Sequence, residues 1–229
     1  MTRGKTQRAR AAPRREETER NTRRRLLEAA GQVFAELGFD RATGKEICER
    51  AGTNTAAVNY YFGGIQGLYV AVIHEARNRL VTTEAVQAAV AGKADARAKL
   101  EAILELLARA VTGPAILSWA PRVLVREMAA PSSARDAIEK DFLTRAGILR
   151  GVVAELTALP EDHPAVARGC LSVIGACYAL FLMDRRMLKR LFPTLTLAPE
   201  DAPALARHLL QFALAGLSAI ASDVRRRSP

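Results

Sequence analysis

In a chain of 229 residues, reactive chemistry has to come from few side chains, and the histidines, cysteines and acids near them are the first to test. His163, Cys170, Cys177 and Asp184 recur at intervals of seven, a pattern that invites a metal reading. Seven residues of α-helix advance about 10 Å, however, which is too far for neighbours in the series to share one ion. Cys48, Cys170 and Cys177 read instead as small apolar residues for a core. The other histidines, His74 and His208, fall in separate segments and form no constellation with His163. The sequence has no G-x-S-x-G elbow, no phosphate-cradling Gly-rich loop with its Lys, no H-E-x-x-H and no paired CxxC. The reading is therefore of a protein that is not an enzyme, with no catalytic residue, no metal and no cofactor assigned.

A different chemistry, recognition of a polyanion, is written in "ICERAGTNTAAVNYYFGG", residues 47–64. Two short helices joined by a tight Gly-containing turn form a helix-turn-helix, whose second helix can lie in the major groove of DNA. Thr55, Ala56 and Ala57 are small enough for close approach, and Ala or Thr methyls can read the thymine methyl. Asn59 and Tyr60 have the reach for bases or phosphates. Tyr61, and the free amides at the helix starts near Thr43 and Asn54, suit phosphates.

The elements that position these residues are helical. Leu26, Leu27, Ala30, Val33, Phe34 and Leu37 recur at helical spacing until Gly38. Thr43 and Glu46 make a capping-box pattern for a helix over about 44–51, and Asn54 caps another over 55–61. Gly63-Gly64 breaks that helix, and a longer one runs over about 65–81. Further apolar-faced helices are expected at 94–112, 115–129, 134–157, 164–190 and 202–224, separated by Pro- and Gly-containing breaks. Strand-type alternation is absent, so the predicted fold class is all-α: a three-helix helix-turn-helix head followed by a larger helical bundle. The corresponding boundaries are a basic, flexible arm over 1–20, the head over 21–66, the bundle over 67–224 and a basic tail over 225–229.

Charge is distributed to match. The net charge is +10, yet residues 1–25 hold ten Lys/Arg against three Glu, and Arg225, Arg226 and Arg227 supply the rest, leaving the remainder of the chain close to neutral. Residues 26–70 are slightly acidic. Helix N-termini would then give the helix-turn-helix its directed donors, with the Arg-rich arm supplying charge and a minor-groove contact. Few cysteines, no signal-peptide pattern and no run of about 18 consecutive apolar residues fit a soluble protein of the reducing cytoplasm without a membrane partner.

The run from Thr22 to Ile73, "TRRRLLEAAGQVFAELGFDRATGKEICERAGTNTAAVNYYFGGIQGLYVAVI", resembles the N-terminal domain of TetR/AcrR-family transcriptional regulators. "LVREMAAPSSA", residues 124–134, and "SVIGACYALFLMDRR", residues 172–186, look like the C-terminal domain of the CecR subgroup. The resemblance implies a cytoplasmic, nucleoid-associated homodimeric repressor that leaves a palindromic double-stranded operator when a small-molecule effector binds its rear domain. By position it places Thr43, Gly44, Lys45, Asn54, Thr55, Ala56, Asn59, Tyr60 and Tyr61 at the DNA. One departure is Ile65, where relatives often carry a phosphate-binding Lys. An architectural nucleic-acid binder that uses the basic arm without a ligand is the alternative.

In the rear half, Trp119, Arg126, Phe142, Tyr178 and Phe181 are candidates to line a ligand site, since pockets between bundle helices are mostly apolar with a few polar groups. Core packing, or a solvated face for Arg126, is the plainer reading of the same residues. Small and apolar residues on the last two long helices, Gly169, Ser172, Gly175 and Ala176 on one and Ala206, Leu210, Ala213, Leu214 and Leu217 on the other, permit close packing. The resemblance makes these two helices the homodimer interface; packing within one chain is the other use of such faces.

Overall fold

A computed structural model describes residues 5–129, 132 and 135–227. Among the described residues eleven α-helices follow in order: α1 Lys5–Leu37, α2 Gly44–Ala51, α3 Ala56–Phe62, α4 Ile65–Leu80, α5 Thr83–Val90, α6 Ala96–Thr112, α7 Ala120–Ala129, α8 Arg135–Thr157, α9 Pro164–Leu182, α10 Arg185–Leu191 and α11 Ala202–Arg227. Short 3-10 turns occupy Pro114–Leu117 and Pro199–Asp201. No strand occurs among the described residues.

The chain forms two compact units: Met1–Ala76 with Arg122–Arg135, and Arg77–Pro121 with Asp136–Pro229. The first unit thus ends beyond the sequence boundary at residue 66 and takes in most of α7 from far along the chain. Its core comes from the helical stripes: Leu26, Ala30, Val33 and Phe34 of α1, Ile47 and Cys48 of α2, Val58 of α3, and Leu68, Val72 and Ile73 of α4 are all buried. Each full burial of such a side chain contributes about 1.5–3 kcal/mol, far more than the propensity of these short helices. Phe34 meets Tyr69 edge-on with ring centroids 4.8 Å apart.

The second unit is built round Leu100, Ile103 and Leu104 of α6, Val152 and Val153 of α8, Val166, Val173 and Cys177 of α9, and Leu209, Leu210, Ala213 and Leu217 of α11. A Cβ at Gly169 would lie 2.8 Å from Leu217 Cδ2 and 3.1 Å from Val153 Cγ1, so this glycine sets the approach of α9 to its neighbours.

Several element expectations change. α1 begins at Lys5 and not near Leu26, so residues 5–20, expected as an arm, continue the helix. Their Arg, Glu and Ala content favours helix, although Pro13 removes one backbone hydrogen bond. Arg225–Arg227 likewise close α11 and complement its C-terminal dipole. α5 was not foreseen; Thr82 caps it by accepting the Ala85 N–H at 3.0 Å. The helix expected over 164–190 is two, because Asp184 accepts the Arg186 and Met187 amides and starts α10. His163 caps α9 through Nδ1, which accepts the Ala165 N–H at 3.1 Å.

By length and composition alone two helices suit a membrane, although neither holds the unbroken run of about 18 apolar residues that the sequence reading sought. Pro164–Leu182 and Pro199–Arg227 are long and apolar enough to cross one, since α9 carries a single charge, Arg168. Most of each apolar window is left uncovered by the rest of the chain.

Candidate nucleic-acid interface

The first unit holds α2 and α3 as the sequence punctuation dictates. Thr43 Oγ1 accepts the Glu46 N–H at 3.2 Å and opens α2. The reciprocal half of the expected capping box is replaced: the Glu46 carboxylate pairs with Arg50 at 3.0 Å, and Arg50 also reaches Glu36 at 2.8 Å. The bond to Glu36 is the main reason the Arg50 guanidinium pKa is raised. One arginine thereby offsets two of the acids that make this region negative.

Gly52 ends α2 in the left-handed region, φ 61°, with its amide bonded to Cys48 and Glu49 carbonyls. A side chain there is strained by its φ and would meet Arg25, whose Nη2 donates to the Gly52 carbonyl at 3.4 Å. After the turn, Asn54 Oδ1 accepts the Ala57 N–H at 3.0 Å, so the Asn54 carbonyl group is committed to capping α3. Tyr60 is 74% exposed, and its ring packs edge-on against half-buried Tyr61 at 4.8 Å. Thr55, Ala56 and Asn59 are exposed beside them, while Ala57 and Val58 face inward.

The helix Ala56–Phe62 contains no charged residue. An exposed, uncharged helix with small residues at its start presents no carboxylate to repel a phosphate backbone. Lys45 lies on the exposed side of α2, its ammonium 4.0 Å from Glu49, a surface pair too weak to hold it from another anion. Gly44 opens α2 next to Thr43.

Arg23 and Arg25 belong to this site too, although the sequence treated them only as part of a charged run. The Arg23 guanidinium sits 5.0 Å from the Phe62 ring centroid, at the end of α3, while Arg25 holds the turn. Their position at helical spacing before the buried Leu26 was the available signal.

α7 supplies a second set of residues to the first unit. Arg126, expected to line a ligand site, instead donates from Nε to the Ala35 carbonyl and from Nη2 to the Glu36 carbonyl, both at 3.0 Å. It closes the C-terminal turn of α1, where free carbonyls and the helix dipole favour a cation. Beside it, the buried Glu127 accepts the Tyr69 hydroxyl at 2.7 Å and both the amide and hydroxyl of Ser132. Burial, followed by these carboxylate bonds, pushes the Tyr69 phenol pKa well up.

The other ligand candidates lie in the second unit. Trp119 is buried with Arg79 over its ring at 4.6 Å. Phe142 carries Arg145 over its ring at 4.8 Å, and the half-buried Tyr178 lies within the field of the same arginine. Phe181 is half-buried near the end of α9. No group of three or more metal-ligating side chains occurs among the described residues.

Comparison with known proteins agrees with this layout. Residues 26–72 match the family described as "Bacterial regulatory proteins, tetR family". Residues 96–217, over half of the chain, match "HTH-type transcriptional dual regulator CecR, C-terminal domain". The HTH-type transcriptional repressor AcnR of Corynebacterium efficiens is 33% identical over 63 residues, 28% of this chain, and the chain spans only about a third, 34%, of that relative's length. In fold, the chain resembles the Bacillus subtilis transcriptional regulator FadR in complex with stearoyl-CoA, with a TM-score of 0.56 at 18% identity, covering 84% of this chain and 97% of that one. It also resembles AibR in complex with isovaleryl coenzyme A and operator DNA, with a TM-score of 0.63 at 16% identity, covering 83% and 97%. The two matches, over residues 26–72 in the head and over 96–217 behind it, place this chain in the TetR family of bacterial regulatory proteins.

Proposed function

We propose that the protein is a sequence-specific DNA-binding transcriptional repressor, a cytoplasmic homodimer released from a palindromic operator by a small molecule held in its second unit. The observation that carries the reading is the exposed, uncharged α3 with Tyr60 outward, braced by Arg23 and Arg25. Thr43, Gly44, Lys45, Asn54, Thr55, Ala56, Asn59, Tyr60 and Tyr61 are its DNA-facing set, with Asn54 acting mainly through the α3 amides that it orients. The complexes of FadR with stearoyl-CoA and of AibR with isovaleryl coenzyme A and operator DNA support a ligand-responsive reading.

The second copy is supplied by α9 and α11. The small residues named from the sequence divide between two uses: Gly169, Ala206, Leu210, Ala213 and Leu217 pack within the chain, so on α11 the expected interface set is largely core. Ser172, Gly175, Ala176 and Ala179 of α9, and Phe212, Ala215, Gly216 and Ala219 of α11, form exposed stripes at the i, i+3, i+4, i+7 spacing of one helix face. Two such stripes, repeated by a two-fold axis, make a four-helix interface of mostly small residues with Phe212 as its large apolar contact.

Regulation then follows from linkage: an effector that binds better to a form with wrongly spaced heads lowers DNA affinity by the same factor by which DNA lowers effector affinity. α4, continuous in the chain from Ile65 to Leu80, is the lever of this scheme. Selection of bound duplexes from a random pool at near-physiological salt tests the reading. Enrichment of a palindrome with half-sites about one helical turn apart is expected. Binding without an enriched sequence would instead establish the architectural alternative.

A further inference from the structure

Of the eleven large apolar side chains that are exposed among the described residues, four lie within residues 187–195 of the second unit, on α10 and the turn after it. α10 is held from one side only. Asp184 caps its start, the Arg185 guanidinium donates from Nη2 to the Val111 carbonyl at the end of α6, and Leu188 is buried. That inward anchor fixes what the helix shows to water. Met187 and Leu191, four residues apart, share one side and are 49% and 53% exposed, while Arg186, Lys189 and Arg190 occupy the arc beside them and are exposed as well. Phe192, at 54% exposure, and the exposed Leu195 stand at the two ends of one tight turn, in which the Leu195 N–H donates to the Phe192 carbonyl at 2.9 Å.

Charge narrows what can cover this surface. Residues 184–195 carry four Lys/Arg against one Asp, and among the described residues no carboxylate pairs with Arg186, Lys189 or Arg190. An apolar strip flanked by free positive charge is complementary to a surface that is negative outside and apolar beneath. A second copy meeting this patch across a two-fold axis would set cation against cation, and the stripes proposed for that copy lie on α9 and α11. A nucleic acid offers the charge without the apolar layer. An anionic bilayer offers both, in the right order.

We propose that α10 and the turn after it lie on the surface of an anionic lipid bilayer. Arg186, Lys189 and Arg190 sit among the head groups, and Met187, Leu191, Phe192 and Leu195 enter the boundary of the acyl chains. The contact is peripheral and crosses nothing. It departs from the sequence expectation of no membrane partner, which weighed only spans; a segment that lies on a bilayer needs no long apolar run. The proposal is independent of operator binding, since no residue of α10 belongs to the first unit.

Flotation of the full-length protein with vesicles of phosphatidylcholine alone, or of phosphatidylcholine and phosphatidylglycerol in equal parts, tests it. Binding to the mixed vesicles is expected to be at least about tenfold tighter than to phosphatidylcholine, and to weaken as salt is raised. Leu191→Asn with Phe192→Asn keeps every charge, including those of the Arg-rich start of the chain, and should weaken binding to the mixed vesicles several-fold. Arg186→Gln with Arg190→Gln keeps the apolar strip and should lower binding by a similar factor, with a flatter dependence on salt. The four positions are exposed, and circular dichroism of each variant checks the fold. Failure of the parent to float with the mixed vesicles, or equal binding to both kinds, overturns the proposal. Unchanged binding in the Leu191 and Phe192 variant also overturns it, because another basic segment then holds the lipid. A fall in that variant's sedimenting mass overturns it as well, because a second copy then covers this face.

Discussion

Tyr69 and Glu127 show how a single buried contact sets the value of a residue. A carboxylate that is 4% exposed is stable only with donors around it, and it has three: the Tyr69 hydroxyl and two groups of Ser132. Tyr69→Phe leaves the ring packing on Phe34 and Phe39 but removes one donor, so a loss of about 1–3 kcal/mol is expected in urea melts. Arg126→Ala removes both bonds to the end of α1 and should show the same sign, with operator binding impaired through the head. Thiols make a second residue-scale test. Burial pushes the Cys177 thiol up to about 11, from an ordinary 9.0. A raised folded pKa means that the neutral thiol's contribution is fully present below pH about 9 and is lost as pH rises through about 11. Alkylation of the native protein at pH 8 should therefore modify half-buried Cys170 before Cys177 and Cys48. Faster labelling of Cys177 would show that α9 is not packed as described.

At the scale of elements, the tightest constraint is the corner between α3 and α4. A Cβ on Gly67 would run into the Phe62 carbonyl oxygen, a backbone atom that moves only if the corner opens. Gly67→Ala is expected to cost at least about 1–3 kcal/mol and to reduce operator affinity by displacing α3, whereas Gly44→Ala, with open space around its Cβ, should leave folding intact. This corner also shows what local sequence conveys. Caps at Thr43 and Asn54 and the stops at Gly38, Gly52 and Gly63 were legible, because each acts on backbone within a few residues. The break before α10 was equally local, but the apolar period runs through Leu182 and masks the Asp184 cap. The place of Arg126 was not legible at all: its acceptors lie 91 and 90 residues earlier, and no spacing rule reaches that far. The division of small residues into core and surface stripes failed for the same reason, since α9 and α11 each offer more than one apolar face and only packing decides between them.

For the whole molecule, the uncovered faces of α9 and α11 are the largest unsettled term. Leu171, Leu182 and Phe212 stand in water, Phe212 at 70% exposure, on helices whose other sides already complete the core. Leaving contiguous apolar area exposed favours association, and a two-fold interface lets each copy cover the other's stripes. Ala176→Glu with Phe212→Glu places charges on both stripes without entering the core, because both positions are exposed. Sedimentation of the double variant at micromolar concentration should give one chain's mass, against twice that mass for the parent, with unchanged helicity. Operator affinity should then fall by orders of magnitude, because a monomer engages one half-site and loses the effective concentration that tethering gives the second. Its dependence on salt should fall as well: each lost phosphate contact removes about 0.9 from the slope of log affinity against log salt, and half of the contacts go with the partner. A double variant that still sediments as a dimer would place the interface elsewhere, and a monomer that kept full affinity and slope would mean that one head binds alone.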